Sequence, residues 1–304
     1  MKTYEKARQF VYQNARPLDF ARWKYHFEGG SREAVLDILS AYQNSDGGFG
    51  HALEPDFWNP DSTPTATWMA TNILREVGLT DASHPIIQGI LRYLVSGKDF
   101  RDGKWYTTVS GNNDYPHAVW WTCREEKGET DDNPTVSLAG FALRFSEHGS
   151  PLYEKAAAIA LEAVERFPTL SEIDDHTIRC YLDLLIFCES ITDFDLFNLD
   201  AFREAVTEAA SACVCKDPEK WYTEYICKPS FFFDFTGRVL DIVDPVLCAT
   251  EARMICDKQQ PDGAWPITWQ WWTDYPEYHI SANWWRASFC IENLMYLRFC
   301  EKTV

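Results

Sequence analysis

The chain has 304 residues, 46% of them hydrophobic and 24% charged, with 28 basic against 46 acidic side chains and a formal net charge of −18. That apolar fraction excludes disorder. The lack of an 18-residue apolar run excludes a transmembrane helix, and the acidic field repels nucleic acid and anionic membrane surfaces as main partners. Ten cysteines, nine of them at or after Cys180, are too few for a disulfide scaffold and form no C-x-x-C pair. They read as thiols filling core gaps, and the absence of an apolar signal core in Met1–Phe20 predicts a cytoplasmic protein.

Helical stripes recur along the chain. Val35, Ile38, Leu39 and Tyr42 follow Ser31; Ala66, Ala70, Ile73 and Val77 follow Thr63; Ile86, Ile90 and Leu94 follow His84. Further on, Ile178, Tyr181, Leu182 and Leu185 follow Asp174; Phe202, Val206, Ala209 and Cys213 follow Asp200; Trp284, Ala287, Ile291 and Met295 follow Ser281. Four starts pair a capping residue with a proline, at Thr63-Pro64, Asn133-Pro134, Ser150-Pro151 and Asp244-Pro245. The period of 3.6 predicts an all-α fold of about ten helices without a strand ladder.

A repeat joins these helices. Gln43-Asn44-Ser45-Asp46-Gly47-Gly48-Phe49, Asp102-Gly103-Lys104-Trp105 and Gln259-Gln260-Pro261-Asp262-Gly263-Ala264-Trp265 each read as closing a helix, with a degenerate copy at Asp217–Trp221. Asp-Gly supplies a tight turn, and the aromatic after it a wedge between helices. Gln-x-x-Asp-Gly-Gly-Phe and Gln-x-x-Asp-Gly-x-Trp resemble the repeats of squalene/terpenoid cyclases and of protein prenyltransferase β subunits. That resemblance implies a single α/α toroid over residues 1–304, with an inner ring of helices inside an outer ring. It implies fold only, because the repeats carry no chemistry in that family.

By the same resemblance, the segments between a repeat and the next inner helix line one mouth of the toroid. There the chain carries Glu54 and Asp56; Asp114, His117, Trp120 and Trp121; Glu172, Asp174, Asp175 and His176; and Tyr278, His279, Trp284, Trp285 and Arg286. Carboxylates beside aromatics on four loops predict one acidic, aromatic-lined pocket for a small-molecule substrate. Glu172-Ile173-Asp174-Asp175 resembles the Asp-x-Asp-Asp motif of class II cyclases, which implies acid-initiated isoprenoid cyclisation with Asp174 as the proton donor and Asp175, Glu172 and His176 around it. A carbohydrate-active α/α barrel, whether hydrolase, lyase or epimerase, is the alternative, because tryptophans stack on sugars and paired carboxyls cleave glycosidic bonds. A non-enzymatic toroid binding a small molecule or peptide is the third. His279 is placed like the ligand histidine of prenyltransferases, but the Asp-x-Cys partner is missing, so no metal is expected. No nucleotide or nicotinamide fingerprint appears, so no cofactor is expected either.

Overall fold

The computed structural model describes residues 2–235 and 242–303, and the chain divides into two compact units, Ser40–Ala209 and Met1–Leu39 with Ala210–Val304. Among the described residues the protein is mostly helical, with eleven α-helices and three short strands.

In the unit of residues 40–209, α4 (Pro64–Glu76), α6 (Asp132–Phe145) and α8 (Asp175–Glu189) pack side by side, with α5 (Pro85–Val95) and α7 (Pro151–Arg166) against α6. Their starts follow the expected cap chemistry. Thr63 accepts from the Ala66 N–H, Ser150 from Tyr153 and Asp174 from Thr177, with prolines at the first positions of α4 and α7. At Asn133-Pro134 the expected cap moves: Asp131 caps α6, and the Asn133–Pro134 peptide is cis. Helix α6 is buried on nearly every face because it is flanked on three sides.

The three helices run in the same direction. Thr107 lies between the first turns of α4 and α6, accepting from the Thr65 hydroxyl and donating to the Asn133 carbonyl. One turn further, Trp68 of α4 and Ser137 of α6 both donate to Asp183 of α8, at 2.9 and 3.0 Å. Asp183 is fully buried and is met by Arg75 at 2.6 Å and Arg179 at 3.6 Å. Burial opposes its charge, but the two guanidiniums outweigh that and hold its carboxyl below the usual range.

The expectation of no strand ladder is corrected here. β1 (Phe100–Arg101), β2 (Lys104–Val109) and β3 (Gly128–Thr130) form an antiparallel sheet in the order β1-β2-β3. The second copy of the repeat is its hairpin turn and closes no helix. Asp102 and Gly103 both have positive φ, at 51° and 81°, as a two-residue primed turn demands. The following Trp-Tyr-Thr-Thr-Val run has β-branched and aromatic side chains that favour a strand.

In the other unit, α11 (Tyr278–Thr303) packs against α1 (Lys2–Asn14), α2 (Pro17–Phe27) and α10 (Pro245–Lys258). Helix α3 (Arg32–Ser40) and α9 (Leu199–Cys213) run across the boundaries between the units. On α2, the fully buried Asp19 takes Arg16 at 2.7 Å and Arg22 at 3.0 Å, and Arg22 reaches Ser288 of α11. Just past α2, Glu28 accepts from Arg8, Tyr12, Trp23 and Lys24. Partial burial opposes its charge, yet these donors lower its pKa to about 2.

The first and third repeats are the same device. The Gln43 amide donates to the Gly47 carbonyl at 2.9 Å and to Ile86 of α5 at 3.0 Å. The Gln259 amide donates to Gly263 and to Thr3 of α1, both at 2.8 Å. Gly47 and Gly263 have φ of 94° and 103°, and a Cβ on either would lie about 2 Å from a carbonyl oxygen, that of Gly89 or of Lys6. Only glycine permits that approach at that φ. Phe49, Trp105, Trp221 and Trp265 are all buried, although Trp105 lies in β2 and not after a helix. No helix of the described residues is long and apolar enough to cross a membrane.

Candidate active site at the start of three helices

Because α4, α6 and α8 are parallel, their capped N-terminal ends lie at one end of their unit, and two long loops pack against each other beside the start of α4. Residues 50–63 lead into α4. The chain turns sharply at their start, where His51 and Ala52 have φ of 57° and 58°. Left-handed backbone at two consecutive side-chain-bearing residues is strained, and such strain gathers at working sites. Residues 110–123 lie against this loop: Ala118 donates to the Asp56 carbonyl, Trp58 donates to Pro116, and Phe57 bridges His117. Beneath them Asn59 donates to Asn112, which donates to Thr108.

The structure therefore joins four of the expected residues. Glu54 and Asp56 are buried in the first loop, and the Glu54 carboxylate accepts the Asp56 N–H at 2.6 Å. His117 is buried, with Nδ1 at 2.6 Å from the Tyr115 carbonyl and Nε2 at 3.0 Å from the Thr122 hydroxyl. Trp121 meets Phe57 edge-on at 5.2 Å. Asp114 and Trp120 lie on the same loop but face solvent, as does Tyr115.

At the start of α8, Glu172 is exposed. Asp174 is also exposed, and its two oxygens accept the N–H and hydroxyl of Thr177 at 2.9 and 2.8 Å. Asp175, one residue on, is mostly buried. Burial pushes its carboxyl above the usual range; the His176 ring at 3.9 Å pulls it back, and the Asp174 charge pushes it up again. A carboxyl whose pKa is raised by burial and by a neighbouring carboxylate suits general acid–base work.

Sequence reasoning missed a second Asp-Asp pair. Asp131 caps α6 as Asp174 caps α8, and Asp132 takes the position of Asp175. Asp132 is buried and bonded to Lys104 at 2.9 Å, Arg166 at 2.6 Å and Tyr181 at 2.8 Å. Burial opposes its charge, but these partners outweigh that and lower its pKa. The repeated Asp-Asp at two helix starts was the available signal.

The remaining expected residues belong to the other unit. Tyr278 opens α11 and donates its hydroxyl to the Trp269 carbonyl at 3.0 Å, and the exposed His279 ring lies 5.5 Å from that of Tyr278. Trp285 packs edge-on to Trp269 at 5.7 Å, and the Arg16 guanidinium lies over Trp284. Arg286 locks the third repeat, donating to Gln260 at 2.7 Å, Asp262 at 2.6 Å and the Trp265 carbonyl at 3.3 Å. Among the described residues no group of three or more His, Cys, Asp or Glu is placed to hold a metal ion. Compared with known proteins, the chain matches no family model, no curated protein and no solved structure.

Proposed function

We propose that this chain is a carbohydrate-active enzyme whose acid–base centre lies at the N-terminal ends of α4, α6 and α8, with Asp175 as the proton donor. The observation that carries the reading is the contrast between neighbouring carboxyls. Asp175 is mostly buried and its pKa is raised, while Asp174 is exposed and engaged by Thr177. Half-exposed Trp120 and Tyr115, on the loop packed against the one leading into α4, offer ring faces to a sugar. Isoprenoid cyclisation, the other reading, assigns the donor role to Asp174 and needs a protonated acid in an apolar cavity; an exposed helix cap supports that poorly.

The architecture we propose is the α/α toroid, supported by the parallel run of α4, α6 and α8 and by the same glutamine clasp in both units. As a test, wild type and Asp175→Asn are incubated with neutral polysaccharides, aryl glycosides and linear isoprenoids. Sugar turnover by wild type that falls about 10²–10⁴-fold in Asp175→Asn is the expected result. Cyclised isoprenoid without sugar turnover, or sugar turnover untouched by the substitution, refutes the reading.

A further inference from the structure

The unit that holds α11 has a cleft of its own, separate from the carboxylates above. It is open to solvent, holds about 300 Å³ and is lined by Tyr222, Thr223, Ile267, Thr268, Trp269, Gln270, Trp272 and Tyr278. The segment that forms most of it runs between Pro266 and Pro276 without regular structure. It is nevertheless fixed. Trp271 is buried and anchors it from beneath, and the Tyr278 hydroxyl holds the Trp269 carbonyl. The Trp269 indole is wedged edge-on among Tyr225, Trp285 and Phe289, with ring centres 5.7 to 5.9 Å apart.

Trp272 is the unusual residue. Its φ is 57°, a left-handed conformation that strains a bulky side chain, and its side chain is 73% exposed. Consecutive indoles differ in placement: Trp271 is buried, while Trp272 is exposed and lines the cleft. Folding gains nothing from an indole held in water on a strained backbone, whereas a ligand that covers it does. Tyr225, 57% exposed, extends the aromatic surface from the far side of Trp269.

The lining chooses the ligand class. It combines aromatic faces with hydroxyls and one carboxamide, and contains no charged side chain. Aromatic faces take the C–H faces of a pyranose, and Thr223, Thr268 and Gln270 can exchange hydrogen bonds with its hydroxyls. A volume of about 300 Å³ is the low end for ligand sites and suits one or two sugar rings. With a net charge of −18, an acidic polymer would be repelled. We propose that this cleft binds a neutral saccharide, with Trp272 as the stacking platform. The inference shares a substrate class with the proposed enzyme but none of its residues.

The test is calorimetric titration of the full chain with neutral oligosaccharides of differing linkage (cellohexaose, xylohexaose, mannohexaose and maltohexaose) and with a proline decamer, an alternative ligand for aromatic grooves. Wild type is expected to bind at least one oligosaccharide. Trp272→Ala, at an exposed position outside the core, is expected to weaken it at least ten-fold with an unchanged circular dichroism spectrum. Gln270→Ala is expected to weaken it several-fold. Titration reads binding without turnover, so a chain that hydrolyses nothing still gives an answer here. Binding to none of the four sugars, sugar binding indifferent to Trp272→Ala, or Trp272-dependent binding of the proline peptide alone overturns the proposal.

Discussion

Substituting Gly47 by alanine separates two effects that usually come together. Its φ of 94° strains any residue with a Cβ, and its Cβ would lie 2.0 Å from the Gly89 carbonyl oxygen and 2.6 Å from the carbonyl carbon. Gly78 has the first property alone: its φ is 68°, and nothing lies within 4 Å of its Cβ position. Both substitutions incur the left-handed cost of about 1–2 kcal/mol. Only Gly47→Ala must also push α5 away from the turn, adding about 1–3 kcal/mol, and the same shift stretches the Gln43 bond to Ile86. At about 2–4 °C per kcal/mol for a unit of this size, Gly47→Ala is expected to melt about 2–12 °C below Gly78→Ala in differential scanning calorimetry. Gly263→Ala, whose Cβ would lie 2.1 Å from the Lys6 carbonyl oxygen, is expected to resemble Gly47→Ala. A Gly47→Ala protein melting with or above Gly78→Ala would refute the claim that this turn is pressed against a neighbouring helix.

The remaining predictions concern two carboxylates with structural partners. Glu28 has its pKa lowered from 4.5 to about 2, so its contribution to stability is complete above 4.5 and lost as pH falls through about 2. Glu28→Gln is therefore expected to be less stable at pH 7 and to show a flatter stability profile between those values in urea titrations; parallel profiles for the two proteins would contradict the network. Asp174→Ala is expected to cost about 1 kcal/mol through loss of the cap, and Asp174→Asn only a few tenths; equal losses in chemical denaturation would show that the charge, and not the cap geometry, matters.

Local chemistry was legible in the sequence where its partners are close in the chain. The caps at Thr63, Ser150 and Asp174 bond N–H groups three residues away, so a few letters suffice. The clasp was half legible. The bonds from Gln43 to Gly47 and from Gln259 to Gly263 span four residues, but those to Ile86 and Thr3 join distant segments. Asp102-Gly103 shows the cost of reading the turn without the clasp: the residue four before Gly103 is Asp99, not glutamine, and the same two letters make a hairpin. Arg286 read as a pocket residue because its partners, Gln260 and Asp262, are 26 and 24 residues away and unmarked by any local pattern. The exposure of Trp272 goes with a positive φ at a residue that rarely adopts it, which no periodicity reveals.

Parallel packing of α4, α6 and α8 gathers three helix N-termini, and with them the positive ends of three backbone dipoles. The caps themselves differ: Asp174 is exposed and bonded to Thr177, while burial raises the pKa of Asp131. At the next position the side chain can turn away from the axis into the protein. Asp132 and Asp175 both occupy it, and their surroundings push them apart. Lys104, Arg166 and Tyr181 surround Asp132 and hold it ionised, while Asp175 has His176 at 3.9 Å in their place and is raised by burial. Two carboxyls separated in pKa by their environments are how one site runs acid and base steps at one pH. Asp132, fully engaged by its cations, cannot be the base without breaking the seam of α6 and α8. On the proposed reading the partner of Asp175 is therefore sought in the loop leading into α4, where Glu54 and Asp56 are buried.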